Sequence, residues 1–483
     1  MIAPPLVATA AGGVLHAMEL AVVLFFVVLH AGTAVRLLSA IPELWRYWNV
    51  FDEPALAPVL ASAALPTVSV VVSGRAELEW TLGTVRSLLS LEYPRYEVVV
   101  VHDGANGGFL PALMESFDLY PVPPAVLVNV PTGPVRGYYR SHRLGKLFVI
   151  DKSSEGAADD LNAALNASRF PYILTMHPRT RLVPTALHRL MRPFLTGDRP
   201  AAVAGSVRMR AAVEESADLH VPGSAWLSGV RTVEQLRESV YGSIGWNRFG
   251  SNLSSQDGVL VLRRDHLLEI DGFRAGVADP LRDAIERLRA ERRAEVVGDT
   301  VPTVPDLVAW ERASSTARAL ARQRTTVHER LLAELFEIRQ AWRFLRNEPS
   351  RLLVPLHLIA TAAAPIVELL GYLLLVLVLA VQGWRDPFIP LFVLAVPGFA
   401  VLLSLWAIAL EHTWMPDCVG GRQTVRLVLF AFAEQLGYRQ WAMWNRLQAT
   451  WRAVVRTRRP VTAPSPRLVP DADLPEADRV QLR

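Results

Sequence analysis

The stretch KLFVIDKSSEGAADDLNAALNASRFPYILTMHPRTRLVP, residues 146–184, reads as strand, loop, helix and strand, and it ends in a polar crossing, Met176-His177-Pro178-Arg179-Thr180. In an open α/β sheet, ligands sit just outside the carboxyl ends of the strands, so chemistry is expected directly after Tyr172-Ile173-Leu174-Thr175. At that point the chain supplies a histidine, a proline and an arginine.

Upstream, Val68-Ser69-Val70-Val71-Val72 is a short, nearly continuous apolar run of the kind a buried parallel strand needs. A helix is expected over 78–89 and a second strand over 96–101, so these pieces make a βαβ unit. His102-Asp103-Gly104 closes that strand and puts Asp103 at the same carboxyl edge. An aspartate there suits the base or ribose of a nucleotide, and equally suits a turn that caps the next segment. Downstream, residues 200–247 show one helical stretch, 233–241, and 258–264 reads as a strand followed by a short helix at 266–270 and the turn Asp271-Gly272-Phe273. Charged helices over 281–293 and 315–342 carry apolar residues every three to four positions, which suits a domain or membrane surface.

At 483 residues the chain has room for one large domain or two smaller ones, and its 51% hydrophobic content and mean hydropathy of +0.24 exceed those of ordinary soluble proteins. The net charge is only +4, so no nucleic-acid partner is expected, and the basic residues stand beside apolar runs as at a cytoplasmic membrane surface. The single cysteine, Cys418, excludes an internal disulfide framework and reads as a small apolar filler. A membrane span fits over 14–35, and the flank from Arg36 to Arg46 places the next segment in the cytoplasm. No basic segment precedes that run, so it reads as an uncleaved anchor, not a signal peptide.

The C-terminal part is uncharged over 352–367, 369–384 and 387–410. Glu368 divides the first two, which fits either one long tilted helix or an interfacial segment followed by a span. Residues 427–444 are interrupted by Glu434 and Arg439 and fit a fourth helix facing the bundle or an interfacial one. Arg452, Arg456, Arg458 and Arg459 place the C-terminal end in the cytoplasm, and the Pro- and Asp-rich tail reads as disordered. The expected organisation is an anchor (1–45), a linker (46–66), a cytoplasmic α/β domain (67–345), membrane or interfacial helices (346–460) and a tail (461–483), in a multi-pass protein of the plasma (inner) membrane with three or four spans.

In this order the parts resemble the membrane-bound, cellulose-synthase-like and processive family 2 glycosyltransferases, over about residues 66–459. SLLSLEYPRYEVVVVHDG is similar to the family's first helix and second strand, DDLNAALNASRFPYIL to its Lys-Ala-Asp-Ala-Leu-Asn helix, and GVLVLRRDHLLEIDGF to its acceptor-side strand. VPDLVAWERASSTARALARQR resembles the approach to its Gln-x-x-Arg-Trp motif, and APIVELLGY and FAEQLGYRQW resemble its membrane half. The resemblance implies an α/β GT-A (Rossmann-like) nucleotide-sugar domain plus α-helical transmembrane segments. It also implies a nucleotide-sugar ligand, UDP-linked or other, and Mg²⁺ or Mn²⁺ as cofactor.

Carried over position by position, the motifs are degenerate. Asp103 and Asp159 match the family's nucleotide-binding aspartates, and its Asn-Glu pair falls on Ala76-Glu77. Its helix lysine falls on Ala157, its metal-binding Asp-x-Asp on His177-Pro178-Arg179, and its Glu-Asp pair on Pro280-Leu281, with Asp279 and Asp283 nearby as substitute bases. Gln-x-x-Arg-Trp falls on Gln323-Arg324-Thr325-Thr326-Val327, so the arginine and tryptophan are replaced by Thr326 and Val327. A histidine beside proline and arginine makes no oxygen cage for a hard cation, so no metal cofactor is expected. Arg179 could replace the cation's charge by gripping phosphate oxygens bidentately; its plain reading is a solvated loop residue. Leu281 accepts no proton, and a positioned general base contributes on the order of 10²–10⁴-fold. Three readings are open. One is an inactive member that partners or regulates an active glycosyltransferase or polysaccharide-synthesis complex. The second is a divergent metal-independent transferase, and the third a membrane scaffold that binds no nucleotide.

Overall fold

The structure, a computed structural model, describes residues 5–51, 65–74, 78–102, 109–123, 126–153, 155–195, 200–210, 224–248, 258–277, 279–292, 301–312, 316–341, 353–416 and 420–456. Glu77 and Asp103, together with Ala76, Cys418, Arg458, Arg459, most of the expected linker and the tail 461–483, lie outside the described residues.

Ten strands form one mixed sheet: β1 (Val68–Val72), β2 (Tyr96–His102), β3 (Leu119–Val122), β4 (Val135–Ser141), β5 (Leu147–Lys152), β6 (Tyr172–Met176), β7 (Thr180–Leu182), β8 (Ala202–Arg210), β9 (Leu260–Arg263) and β10 (Thr303–Arg312), in the order β3-β4-β5-β2-β1-β6-β9-β8-β10-β7. The centre β5-β2-β1-β6 is parallel, in register Val72 with Val100 and Met176, and His102 with Asp151. Every residue of β1 and β2 is buried, as expected for strands covered on both faces, which explains their valine runs. Val68, Val70 and Val72 face a core with Leu88 and Leu190, whereas Val71, Val99 and Ile173 face one with Leu161 and Ile285. The sheet is thus the middle of three layers.

The β1, helix Leu78–Leu89, β2 unit and the helix Ala157–Ala167 between β5 and β6 form as the sequence predicts. The strand expected over 258–264 is shorter, and it runs antiparallel to β6. β8 and β10, parallel to each other, extend the sheet beyond it. The run Thr303–Arg312 is therefore a strand, not merely the approach to a helix. The helical stretch at 233–241 proves to be the middle of a longer rod, helices Ser224–Gln235 and Tyr241–Asn247 joined by the π turn Leu236–Val240.

Among the described residues, three helices are long and apolar enough to cross a membrane: Gly12–Asn49, Leu356–Val381 and Phe388–Trp414. The N-terminal helix runs from Pro5 to Phe51, past the anchor–linker boundary expected at residue 45. Leu353–Val381 is a single helix through Glu368, so the reading as one long helix holds. Residues 427–444 do not form one apolar helix. The chain bends at Leu436 (φ −102°, ψ 96°) and Gly437 (φ 87°), between the helices Gly421–Ala433 and Arg439–Arg456.

The rod 224–247, the candidate spans and the helix Gly421–Ala433 share one core, in which Leu37, Leu44, Val233, Tyr241, Ala407 and Ala431 are buried together. A Cβ on Gly245 would lie 1.9 Å from the Arg36 carbonyl oxygen, so only glycine allows the rod to cross the first span this closely. Across the junction, Arg208 of β8 donates to the Glu411 carboxylate at 2.6 and 3.2 Å, and the Tyr241 hydroxyl donates to the same group at 2.7 Å. Tyr47 of the first span donates to Asp306 at 2.9 Å.

Candidate functional site

Because β1, β2, β5 and β6 run parallel, their carboxyl ends line one edge of the sheet, where Gly74, His102, Lys152 and the crossing His177–Thr180 come together. β10 runs antiparallel to β7 and sets Glu311 opposite Thr180, which brings a carboxylate to the same crossing. His177 and Arg179 are exposed, while Pro178 and Thr180 are buried. The turn is held by the Arg179 amide donating to His177 Nδ1 at 3.2 Å and the Thr84 hydroxyl donating to the Pro178 carbonyl at 2.6 Å. Gly74, at φ +110°, approaches the His177 ring so closely that a Cβ there would lie 3.3 Å from Cδ2 and Nε2.

Towards β4 and β5, the edge is dominated by ion pairs that the sequence reading passed over. Lys152 has no exposed surface; its ammonium donates to Asp159 and lies 4.0 Å from Asp160. Asp159 also accepts from the Thr132 hydroxyl at 2.9 Å and from the Gly133 and Glu155 amides at 2.7 and 3.0 Å. Burial alone would raise the Asp159 carboxyl, but hydrogen bonds from Lys152, the two amides and Thr132 outweigh it and hold the group below its ordinary range. The neighbouring Asp151 takes a bidentate grip from Arg136 at 3.0 and 2.6 Å, and His102, 3.9 Å from Asp151, stacks on Phe109 at 4.8 Å. An Asp-Lys pair closing an otherwise apolar strand was the signal for this cluster.

The helix Ala157–Ala167 carries its own clamp. Asn162 accepts from the Phe273 amide at 2.8 Å and donates to the Phe273 and Pro131 carbonyls at 2.9 and 3.2 Å. One turn on, Asn166 accepts from the Asn129 and Val130 amides at 2.9 and 3.0 Å. The spacing of Asn162 and Asn166 puts both on one face of the helix, where they fix two loops beside the edge.

The substitute bases are engaged elsewhere. Asp279 is the N-cap of the helix Pro280–Arg292, accepting from the Leu281 and Arg282 amides at 3.1 Å each. Asp283 pairs with Arg287 at 2.7 Å one turn along that helix. Leu281 packs against the core. Among the described residues no group of three or more His, Cys, Asp or Glu side chains gathers to hold a metal ion, and His177 beside Arg179 is a poor donor set for Mg²⁺ or Mn²⁺. Glu311, by contrast, is partly buried at the crossing. Burial pushes its carboxyl above the usual range, against the opposing pull of Arg231 and Arg179.

In the degenerate Gln-x-x-Arg-Trp segment, Gln323 and Val327 are half-buried and Thr326 is exposed, its hydroxyl donating to the Arg322 carbonyl at 3.0 Å. The residue with the built role is Arg324, which is buried and donates to Glu234 and to the Tyr438 hydroxyl, the latter at 2.6 Å. A motif read for its matches does not reveal it, because its partners stand 90 and 114 residues away.

No protein-family model matches the chain, and no curated protein matches it in sequence. Among solved structures it is similar to the mannosyltransferase PcManGT from Pyrobaculum calidifontis in complex with GDP-Man and Mn²⁺, at a TM-score of 0.44 and 14% identity over 89% of this chain and 99% of that one. It is also similar to residues 1–349 of TarS from S. aureus in complex with UDP-GlcNAc, at a TM-score of 0.32 and 11% identity over 78% of this chain and 92% of that one. Likeness of this degree assigns neither activity nor ligand.

Proposed function

We propose that the chain is a membrane-anchored protein with a GT-A-type, family 2 glycosyltransferase-like domain on the cytoplasmic side. In this reading it has lost metal-dependent sugar transfer and serves as a partner or regulator in envelope polysaccharide or glycan synthesis. The observation that carries this is the state of the carboxylates. Asp159 is tied to Lys152, Asp279 caps a helix, Asp283 pairs with Arg287, and the place of the family's metal ligands is taken by His177 and Arg179. A diphosphate leaving group needs counter-charge and an acceptor hydroxyl needs a base, and the described carboxylates at these matched positions supply neither.

Glu311 favours a second reading, a metal-independent transferase. A carboxyl held above its ordinary range beside an exposed arginine is suited to exchanging a proton while Arg179 grips phosphate oxygens.

One experiment separates the readings. Purified full-length protein is titrated with UDP, GDP and their sugars in Mg²⁺, Mn²⁺ or EDTA, with thermal shift and product analysis read in parallel. The partner reading expects a nucleotide shift that survives EDTA, with no sugar transferred. Turnover that falls in both Arg179→Ala and Glu311→Gln would replace it with the second reading, and no shift with any nucleotide would leave a scaffold.

A further inference from the structure

Where the rod 224–247 meets the C-terminal helices, three guanidinium groups surround one carboxylate. Glu234 is buried, and its Oε2 accepts from Arg231 at 3.1 Å, from Arg324, and from the Tyr438 hydroxyl at 3.2 Å, while its Oε1 lies 3.8 Å from Arg446. Arg237 stands close by but is neutralised, bidentate on Glu434 at 3.1 and 3.0 Å and bonded to Glu238 at 3.1 Å. His328 adds no charge at neutral pH, because burial and Arg446 push it down to about 4. Glu311 is the other acid acting on Arg231, and burial disfavours its ionised form. Among the described residues, three guanidiniums thus share one carboxylate at close range, while Glu238 and Glu368 act on Arg446 from further off.

Two details indicate what this arrangement is for. The Nε–H groups of Arg231 and Arg324 are buried and have no hydrogen-bond partner among the described residues, and an unmet buried donor costs about 1–3 kcal/mol. Arg446, with 35% of its side chain exposed, stands at the rim, so the cluster communicates with the surface.

The surroundings identify that surface. Val425, Leu429, Phe432 and Leu436 are 62%, 64%, 54% and 79% exposed and recur every three to four residues, an apolar stripe on the helix Gly421–Ala433 and its bend. Trp444 and Trp451, also exposed, stand on the helix Arg439–Arg456, with Arg446 between them in sequence, and Trp226 packs edge-on against Tyr438 at 5.9 Å. Arg439 of the same helix reaches Glu368 of the second span at 2.5 Å and the Val396 carbonyl of the third at 3.1 Å. Exposed apolar residues continuous with membrane spans, together with tryptophan and arginine, are the composition of a helix at the lipid headgroup level.

We propose that Arg231, Arg324 and Arg446, gathered about Glu234, bind the phosphate of an anionic membrane lipid whose acyl chains lie along the exposed apolar stripe of the helix Gly421–Ala433. Guanidinium groups match phosphate oxygens in geometry and charge. Arg231 also acts on Glu311 beside the crossing, so the two sites are neighbours, but phosphate binding here requires no nucleotide at the sheet and is tested separately from the function proposed above.

The test uses the full chain, delipidated in neutral detergent, with thermal stability read against added phosphatidylglycerol, phosphatidylcholine or inorganic phosphate. Phosphatidylglycerol is expected to stabilise the wild type at concentrations about tenfold lower than phosphatidylcholine. Arg446→Gln is expected to abolish this preference, and Arg446→Lys to keep part of it, since one charge-assisted hydrogen bond is worth about a factor of ten. Arg452→Gln, which removes an exposed charge outside the cluster, should retain the preference; equal loss in Arg452→Gln would reduce the effect to diffuse surface charge and overturn the site. Equal stabilisation by both lipids, or an unchanged preference in Arg446→Gln and Arg231→Gln, would also overturn it. A shift reproduced in full by inorganic phosphate alone would overturn the lipid assignment.

Discussion

Two buried charge clusters, one at the sheet edge and one at the junction with the apolar helices, are built from the same kinds of group and reach opposite balances. At the edge, one ammonium, Lys152, meets Asp159 and Asp160, and Asp159 is further satisfied by two amides and a hydroxyl. At the junction, three guanidiniums meet the single carboxylate Glu234, and two buried donors have no partner among the described residues. The first cluster sets two carboxylates about one ammonium and locks a loop to a helix. The second has cationic capacity left over. A buried ion pair by itself is weak evidence for function, and the surplus or deficit around it is more informative.

The largest effect expected from disturbing this contrast is at the sheet-edge cluster. Lys152→Met leaves the Asp159 carboxylate buried without its counter-charge and should destabilise the protein by about 3–5 kcal/mol, read as a fall in thermal midpoint of the full chain. The same pair makes a pH prediction. The folded-state value of Asp159 is depressed, so its contribution is fully present above the unfolded carboxylate value of about 4 and is lost as pH falls below it. The acid limb of a stability–pH curve should therefore be shallower in Lys152→Met than in the wild type; identical limbs would show that the pair contributes no linkage.

At the junction, Glu234→Gln removes the carboxylate that, among the described residues, Arg231, Arg324 and Arg446 share, and it should cost about 3 kcal/mol in the delipidated protein. If the cluster binds an anionic lipid, added phosphatidylglycerol should recover part of that loss, whereas no recovery would make the cluster no more open to lipid than the one at Lys152. The smallest effect is at the helix cap. Asp279→Ala should lower stability by about 1 kcal/mol and leave any nucleotide-induced thermal shift unchanged, and an altered nucleotide response would return Asp279 to the site.

The parallel half of the sheet was legible in the sequence because burial on both faces demands continuous apolar strands, and Val68–Val72 and Tyr96–His102 supply them. The helix with Asn162 and Asn166 and the crossing at His177 were legible for the same local reason. β8 and β10 were not, since mixed strands on the far side of a sheet lack that uniform pattern, and Glu311 was missed together with its strand. Reading Asp159 as nucleotide-binding and Asp279 and Asp283 as substitute bases reflected their positions in the motifs. Whether a carboxylate is free depends on the side chains that reach it.

The class of the fold, the position of the crossing and the presence of helices apolar enough to span a membrane are written locally in the chain, because strand burial, helix periodicity and hydropathy are properties of sequence neighbours. Which charges are matched is settled by packing alone. Arg324 meets Glu234 across 90 residues and Tyr438 across 114, and no local pattern encodes whether a buried guanidinium finds one carboxylate, two or a share of one. Charge balance in a low-dielectric interior is a property of the assembled neighbourhood, and it emerges only when the helices carrying those side chains are packed together.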